Sequence, residues 1–152
     1  MTISIRLAKP EEADVLSQIA IPAKGYWKYP EHWMELWRPQ LMLTLKYVEQ
    51  NESWVAEEGG ISIAFYTLQE KDGKAWLDNL FVLPTYIGKG LGKKLFLHAV
   101  ELARDRGYKF LQLEAEPNAI GFYEKMGMRR IGEHQYELDG QPRTLPIMEM
   151  TL

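Results

Sequence analysis

Leu80-Phe81-Val82-Leu83-Pro84-Thr85-Tyr86-Ile87-Gly88-Lys89-Gly90-Leu91-Gly92-Lys93-Lys94-Leu95 sets what the rest of this 152-residue chain can be. An apolar strand runs into a turn with glycine at every second position. The recurrence of Leu91, Leu95, Ala99 and Leu102 then predicts a helix to about Arg106, with Gly107 as its left-handed cap. Glycines let backbone N–H groups approach an anion without a Cβ in the way, and the helix points its positive end at the same place. The stretch therefore reads as a cradle for phosphate.

Two phosphate-binding patterns fit it poorly. A Walker A loop needs four residues between its glycines and then Lys plus Ser or Thr, whereas three separate Gly88 from Gly92, and Lys94 stands at the hydroxyl position. A dinucleotide fingerprint needs a third glycine where Lys93 stands, although Glu114 lies where a ribose-binding acid is wanted.

The stretch resembles motif A of the GNAT superfamily of acyl-CoA-dependent N-acetyltransferases, which follows a strand ending in Val-x-Pro with Gln/Arg-x-x-Gly-x-Gly/Ala. Val82, Pro84, Gly90 and Gly92 match, while Ile87 replaces the leading Gln or Arg. Pro117-Asn118-Ala119-Ile120-Gly121-Phe122-Tyr123-Glu124-Lys125-Met126-Gly127-Met128 is similar to the family's motif B. The resemblance implies one α+β domain over residues 1–152. Its sheet would be mixed and mostly antiparallel, of about seven strands flanked by helices and splayed at the two central strands. It further implies acetyl-CoA as co-substrate, a small-molecule or peptide amine as acceptor, and a homodimer through the C-terminal strands as one option.

Composition agrees with a globular protein: 46% of residues are apolar and 26% charged. No apolar run approaches the roughly 20 residues of a membrane span, and Met1 to Arg6 lack the form of a signal peptide. A soluble, cytoplasmic protein with no membrane partner is expected. Absence of cysteine excludes disulfides and a thiol nucleophile. His32, His98 and His134 show no metal-ligand spacing, so no metal is expected. A net charge of -3 speaks against a nucleic-acid partner.

Elsewhere the pattern predicts a strand at Ile3 to Leu7, then a helix opened by Pro10 and stopped by Pro22. A loop with Tyr26, Trp27 and Tyr29 follows, then a helix carrying Trp33, Leu36 and Trp37 that Pro39 breaks or restarts. Three strands are expected at Ser53–Glu57, Ile61–Gln69 and Ala75–Leu83, turned by Gly59-Gly60 and Lys71-Asp72-Gly73. Lys109 to Ala115 reads as another strand, Asn118 as the cap of a short helix, and Asp139-Gly140 as a hairpin turn between two last strands. His98 falls on the solvated face of its helix with Lys94, Glu101 and Asp105.

Roles then follow from the resemblance. The pyrophosphate would rest on backbone N–H groups of Ile87, Gly88, Lys89, Gly90, Leu91, Gly92 and Lys93, with Lys89 and Lys93 adding charge. Leu80, Phe81 and Val82 match the family's bulged strand, whose backbone leads to pantetheine and the thioester oxygen, and Asn118 opens motif B beside the cofactor. Tyr123 matches the tyrosine that protonates the departing sulfur, although helical spacing with Phe122 and Met126 also suits a packing role. The family's usual glutamate falls at Trp76; Asp78 shares its face, and Glu114 and Glu116 approach from the neighbouring strand, with Asp78 the first candidate base and Glu114 the second. A base is needed only if the amine, of pKa about 10.4 when lysine-like, arrives protonated. Trp27, Tyr29, Trp33 and Glu114 are candidates for the acceptor pocket, although Trp33 equally suits a core. Arg143 reads either as a partner for an acceptor carboxylate or as an exposed hairpin arginine. A silent acyl-CoA-binding domain and a nucleotide-dependent oxidoreductase are the competing classes.

Overall fold

The computed structural model describes residues 2–152. One sheet holds all seven strands: β1 (Ile3–Leu7), β2 (Glu52–Glu58), β3 (Ile61–Lys71), β4 (Lys74–Val82), β5 (Phe110–Glu114), β6 (Arg129–Leu138) and β7 (Gln141–Thr151). Their order is β1-β2-β3-β4-β5-β7-β6, and every neighbouring pair is antiparallel except β4 with β5. Helices α1 (Ala13–Gly25), α2 (Glu31–Leu41) and α3 (Leu45–Gln50) precede β2; α4 (Leu91–Asp105) follows the glycine turn and α5 (Ile120–Lys125) follows β5. The expected α+β class and mixed seven-stranded sheet are thus observed. Among the described residues no helix is long and apolar enough to cross a membrane.

Alternation along the central strands explains why helices cover both faces. Val55 and Phe65 point into a core with Leu16, Ile19 and Trp37 of α1 and α2, whereas Ala56, Ala64 and Tyr66 point into a second core with Leu95, Phe96 and Ala99 of α4. Residues Ile63 to Leu68 are consequently buried without a break. Such burial fixes β3, against which the half-buried β4 is paired.

Local details depart from the sequence reading in four places. Pro22 lies inside α1 rather than ending it, because the only carbonyl it leaves unpaired belongs to exposed Gln18. Pro39 is likewise inside α2; the break comes later, at Met42 to Thr44, where Thr44 Oγ1 accepts the Tyr47 N–H at 3.1 Å and starts α3. Asn118 is no cap: Glu116 takes that place before a 3₁₀ turn at Pro117–Ala119, and its carboxylate accepts the Asn118 N–H at 3.4 Å. His98 is half-buried, with Nδ1 2.6 Å from the Tyr66 hydroxyl and its ring 4.9 Å from that of Trp54. Burial lowers its pKa, partly opposed by Glu52.

The splay between the central strands is the feature that makes a site. β4 and β5 pair only at Ala75 with Leu111 and Trp76 with Gln112, yet β4 continues to Val82 and β5 to Glu114. Beyond Trp76 the two strands diverge, and their facing backbone edges open a wedge. A bulge sharpens the departure. Asp78 and Asn79 together stand opposite Thr67, between the regular pairs Leu77 with Leu68 and Leu80 with Tyr66. The bulge therefore precedes Leu80, Phe81 and Val82, which pair regularly with Tyr66, Phe65 and Ala64. Buried Thr67 fixes it by meeting Ser53 Oγ at 2.8 Å and accepting from Asn79 Nδ2 at 3.1 Å.

Candidate active site

A cavity of about 710 Å³ fills the wedge, a volume in the range of ligand pockets. Its floor is β4 from Trp76 to Val82 with Leu113 and Glu114 of β5; one end is closed by the glycine turn and the start of α4, the other by α1 and its loop. Asn118, Phe122 and Tyr123 cover it from the α5 side.

The glycine turn has the form a phosphate needs. Gly88 has φ +85° and Gly90, at the N-cap of α4, has φ +78°, both left-handed conformations that side chains with a Cβ resist. Gly92 has no such requirement; a Cβ there would lie 3.8 Å from the Phe122 ring, in ordinary contact. The first α4 bond runs from the Lys94 N–H to the Gly90 carbonyl at 3.1 Å. The N–H groups of Leu91, Gly92 and Lys93 consequently have no partner within the helix, and all three residues line the cavity. These observations fit a diphosphate group, with Lys93 beside it. Lys89 turns instead onto the Tyr86 ring at 5.3 Å and does not line the cavity.

At the middle of the cavity Tyr123 is buried, and its ring packs 5.2 Å from Phe122 and 6.1 Å from Phe96. Burial, helped by the charge of Glu116, pushes its phenol well above 10. The hydroxyl therefore holds its proton at neutral pH. Asp78 of β4 lines the same cavity, and one of its carboxylate oxygens accepts the Tyr47 hydroxyl. Asn79 Nδ2 donates to that same hydroxyl at 3.1 Å, so the bulge and α3 together orient Asp78. Burial and then Asp78 push the Tyr47 phenol far up, which keeps it a donor.

The far end carries a second polar group. Lys24 Nζ lies 2.6 Å from Glu116 Oε2, and Glu116 Oε1 accepts the Tyr29 hydroxyl and, at 2.8 Å, Asn118 Nδ2. Burial works to raise the Glu116 pKa, but the Lys24 charge and these hydrogen bonds outweigh it and leave the carboxyl below its ordinary range. Burial, with the hydrogen bond to Glu116, pushes the Tyr29 phenol up to about 12. Among the described residues no group of three or more His, Asp or Glu side chains is placed to hold a metal ion.

Residues 15–128 match the model of the acetyltransferase (GNAT) family. The chain belongs to this family. Peptidyl-lysine N-acetyltransferase YjaB of Salmonella typhimurium is 30% identical over 147 residues, which cover 95% of this chain and 96% of that protein. The uncharacterized N-acetyltransferase YjgM of Escherichia coli is 41% identical over 86 residues, so that match spans about half of each protein, 51%. The PaiA N-acetyltransferase of Thermoplasma acidophilum, solved in complex with coenzyme A, superposes with a TM-score of 0.82 at 24% identity and covers 100% of both chains. The present protein is thus a GNAT N-acetyltransferase.

Of the residues singled out in the sequence, the cavity brings together Leu80, Phe81, Val82, Ile87, Gly88, Gly90, Leu91, Gly92, Lys93, Asn118 and Tyr123, together with Asp78, Glu114 and Trp27. Tyr29 and Trp33 do not line it. They form a second layer, Tyr29 packing on Trp37 at 4.9 Å and Trp33 on Trp37 at 5.9 Å. Glu114 lies 3.3 Å from His134 Nδ1 at the rim. Sequence reasoning missed Lys24 and Tyr47. Neither carries a local signal, since each is polar on an otherwise ordinary helix and acquires a role only through strands far along the chain.

Proposed function

We propose that this GNAT protein binds acetyl-CoA in the β4–β5 wedge and transfers the acetyl group directly to a primary amine of a small-molecule or peptide acceptor. The observation that carries the reading is the convergence on one cavity of unpaired α4 N–H groups, a splayed β4 and a buried, protonated Tyr123. Acetyl-CoA, when bound, supplies a thioester carbonyl open to attack by an amine. The chain's own groups provide the rest. N–H groups of Leu91, Gly92 and Lys93 hold the diphosphate, and the β5-facing backbone of Leu80 to Val82, released by the splay, offers hydrogen bonds to the pantetheine arm and the carbonyl oxygen. A donor aimed at that oxygen in a dry site is worth about 3 kcal/mol.

Asp78 takes one proton of the incoming ammonium, the Tyr123 hydroxyl gives one to the sulfur as the C–S bond gives way to the new C–N bond, and the second proton lost by the nitrogen restores the Tyr123 phenol. Lys24 cannot serve as that base while it is held by Glu116, and Glu116 is occupied by four donor groups from Lys24, Tyr29 and Asn118. The acceptor enters along Trp27 and Trp76, which both line the cavity. Tyr123→Phe tests the assignment: release of free CoA thiol falls by about 10²-fold or more, while CoA binding stays within a factor of about two. Unchanged turnover in that variant removes Tyr123 from the mechanism.

A further inference from the structure

At the α1 end of the cavity two cations, Lys24 and Arg143, lie about one carboxylate, Glu116, while the cavity's other carboxylates, Asp78 and Glu114, stand on β4 and β5. Lys24 and Glu116 both line the cavity, and each is 17% exposed. Behind them Arg143 of β7 lies with its guanidinium carbon 5.2 Å from the ring centres of Tyr29 and Trp33 and 5.3 Å from Trp37. It is not the exposed hairpin arginine that its position between Pro142 and Thr144 suggests. Its Nη1 is buried and has no hydrogen-bond partner among the described residues. Two cations and one carboxylate therefore share this corner; burial, and to a lesser degree Arg143, works against the charge on Lys24, Glu116 supports it, and the Lys24 pKa lies below the ordinary lysine value.

The hydrogen bonds show where the excess is directed. Glu116 is saturated by Lys24, Tyr29 and Asn118. An ammonium has three donors. Lys24 gives one to Glu116, and its nitrogen sits 4.4 Å from the centre of the Trp37 ring and 4.9 Å from that of Tyr29. Among the described residues Lys24 Nζ has no second hydrogen-bond acceptor, and Lys24 lines the cavity. A buried cation without a full set of acceptors is costly, and an anionic group brought by a ligand removes that cost.

We propose that Lys24 anchors a carboxylate of the acceptor, so that the amine acetylated here is a free amino acid or a close analogue of one. The inference rests on the acetyltransferase reading above. It orients the acceptor: the carboxylate meets Lys24 at the α1 end, the ammonium turns to Asp78 on β4, and the side chain lies along Trp27 and Trp76. Arg143 acts through the Tyr29–Glu116 link as a positioning residue that keeps the corner net positive.

The test is thiol release from acetyl-CoA with matched pairs of acceptors: tryptophan and tryptamine, phenylalanine and phenethylamine, lysine and cadaverine. In at least one pair the acid is favoured in kcat/KM by about tenfold, through KM, as expected for a charge-assisted contact. Lys24→Met lowers that acid-to-amine ratio by about tenfold, and Lys24→Arg keeps it. Should Lys24→Met fail to fold with Glu116 unpaired, Lys24→Met/Glu116→Gln reads the same ratio in a neutral corner. Preference for the amine in every pair, an unmoved ratio in the variants, or stabilisation by acetyl-CoA without turnover of any acid overturns the carboxylate anchor and leaves cofactor binding standing. Absence of both stabilisation by acetyl-CoA and turnover of any amine overturns the functional reading along with it.

Discussion

Gly90 is the residue at which backbone conformation and ligand binding meet. Its φ of +78° ends the turn, starts α4 and points the next three N–H groups into the cavity, although nothing within 4 Å would obstruct a Cβ. Gly90→Ala therefore acts through the backbone alone. It should cost about 1–2 kcal/mol of stability and weaken CoA more than it weakens the amine, read by thermal unfolding with and without CoA. Asp78 is the complementary case, a side chain held by Tyr47 and by a bulge that no local pattern announces. Asp78→Asn should lower kcat/KM by about 10²-fold for amines supplied as ammonium ions, with a smaller loss at high pH where the amine arrives neutral. An equal loss at every pH contradicts its role as proton acceptor.

The elements that position the site are held by contacts of different kinds. α4 is fixed by apolar packing: Phe96 is fully buried and its ring lies 6.2 Å from Phe122 and 6.1 Å from Tyr123. Phe96→Ala should cost about 3–5 kcal/mol and loosen α5, so that kcat falls with stability in urea titrations. The turn from β1 into α1 is fixed by charge. Arg6 donates to Glu12 at 2.7 and 2.8 Å, and this pairing, opposed by burial and helped by the Lys9 N–H, lowers the Glu12 carboxyl from its ordinary 4.5 to about 2. A carboxyl lowered on folding contributes stability that is complete above its unfolded value and fades as pH falls toward the folded one. The Tm difference between the wild type and Glu12→Gln should hence shrink as pH is lowered from about 4.5 to about 2; a difference constant over that interval contradicts the pairing. Strands and the two long helices were legible because burial imposes their periods, as in Leu91, Leu95 and Ala99. Pro22 and Pro39 misled because a proline costs little where the carbonyl it abandons faces water, and only the packed structure shows which carbonyls do.

For the molecule as a whole, function follows from one failure of pairing. A sheet that is antiparallel elsewhere has a single parallel joint, and that joint holds for only two residue pairs before it opens. Motif residues at Val82 to Gly92 were readable because glycine turns and helix starts are local. The acceptor end was not, because Lys24 lies 92 residues from Glu116 and Arg143 reaches the corner only through the rings of Tyr29, Trp33 and Trp37. Tertiary contact, not local propensity, assembles that corner. The most direct check of the account is a thermal-unfolding titration with acetyl-CoA, CoA and NAD in parallel. At 100 times its dissociation constant a ligand stabilises the fold by about 2.7 kcal/mol. The account predicts an upward shift with acetyl-CoA and with CoA and none with NAD; no shift with either CoA species, or a shift with NAD alone, contradicts it.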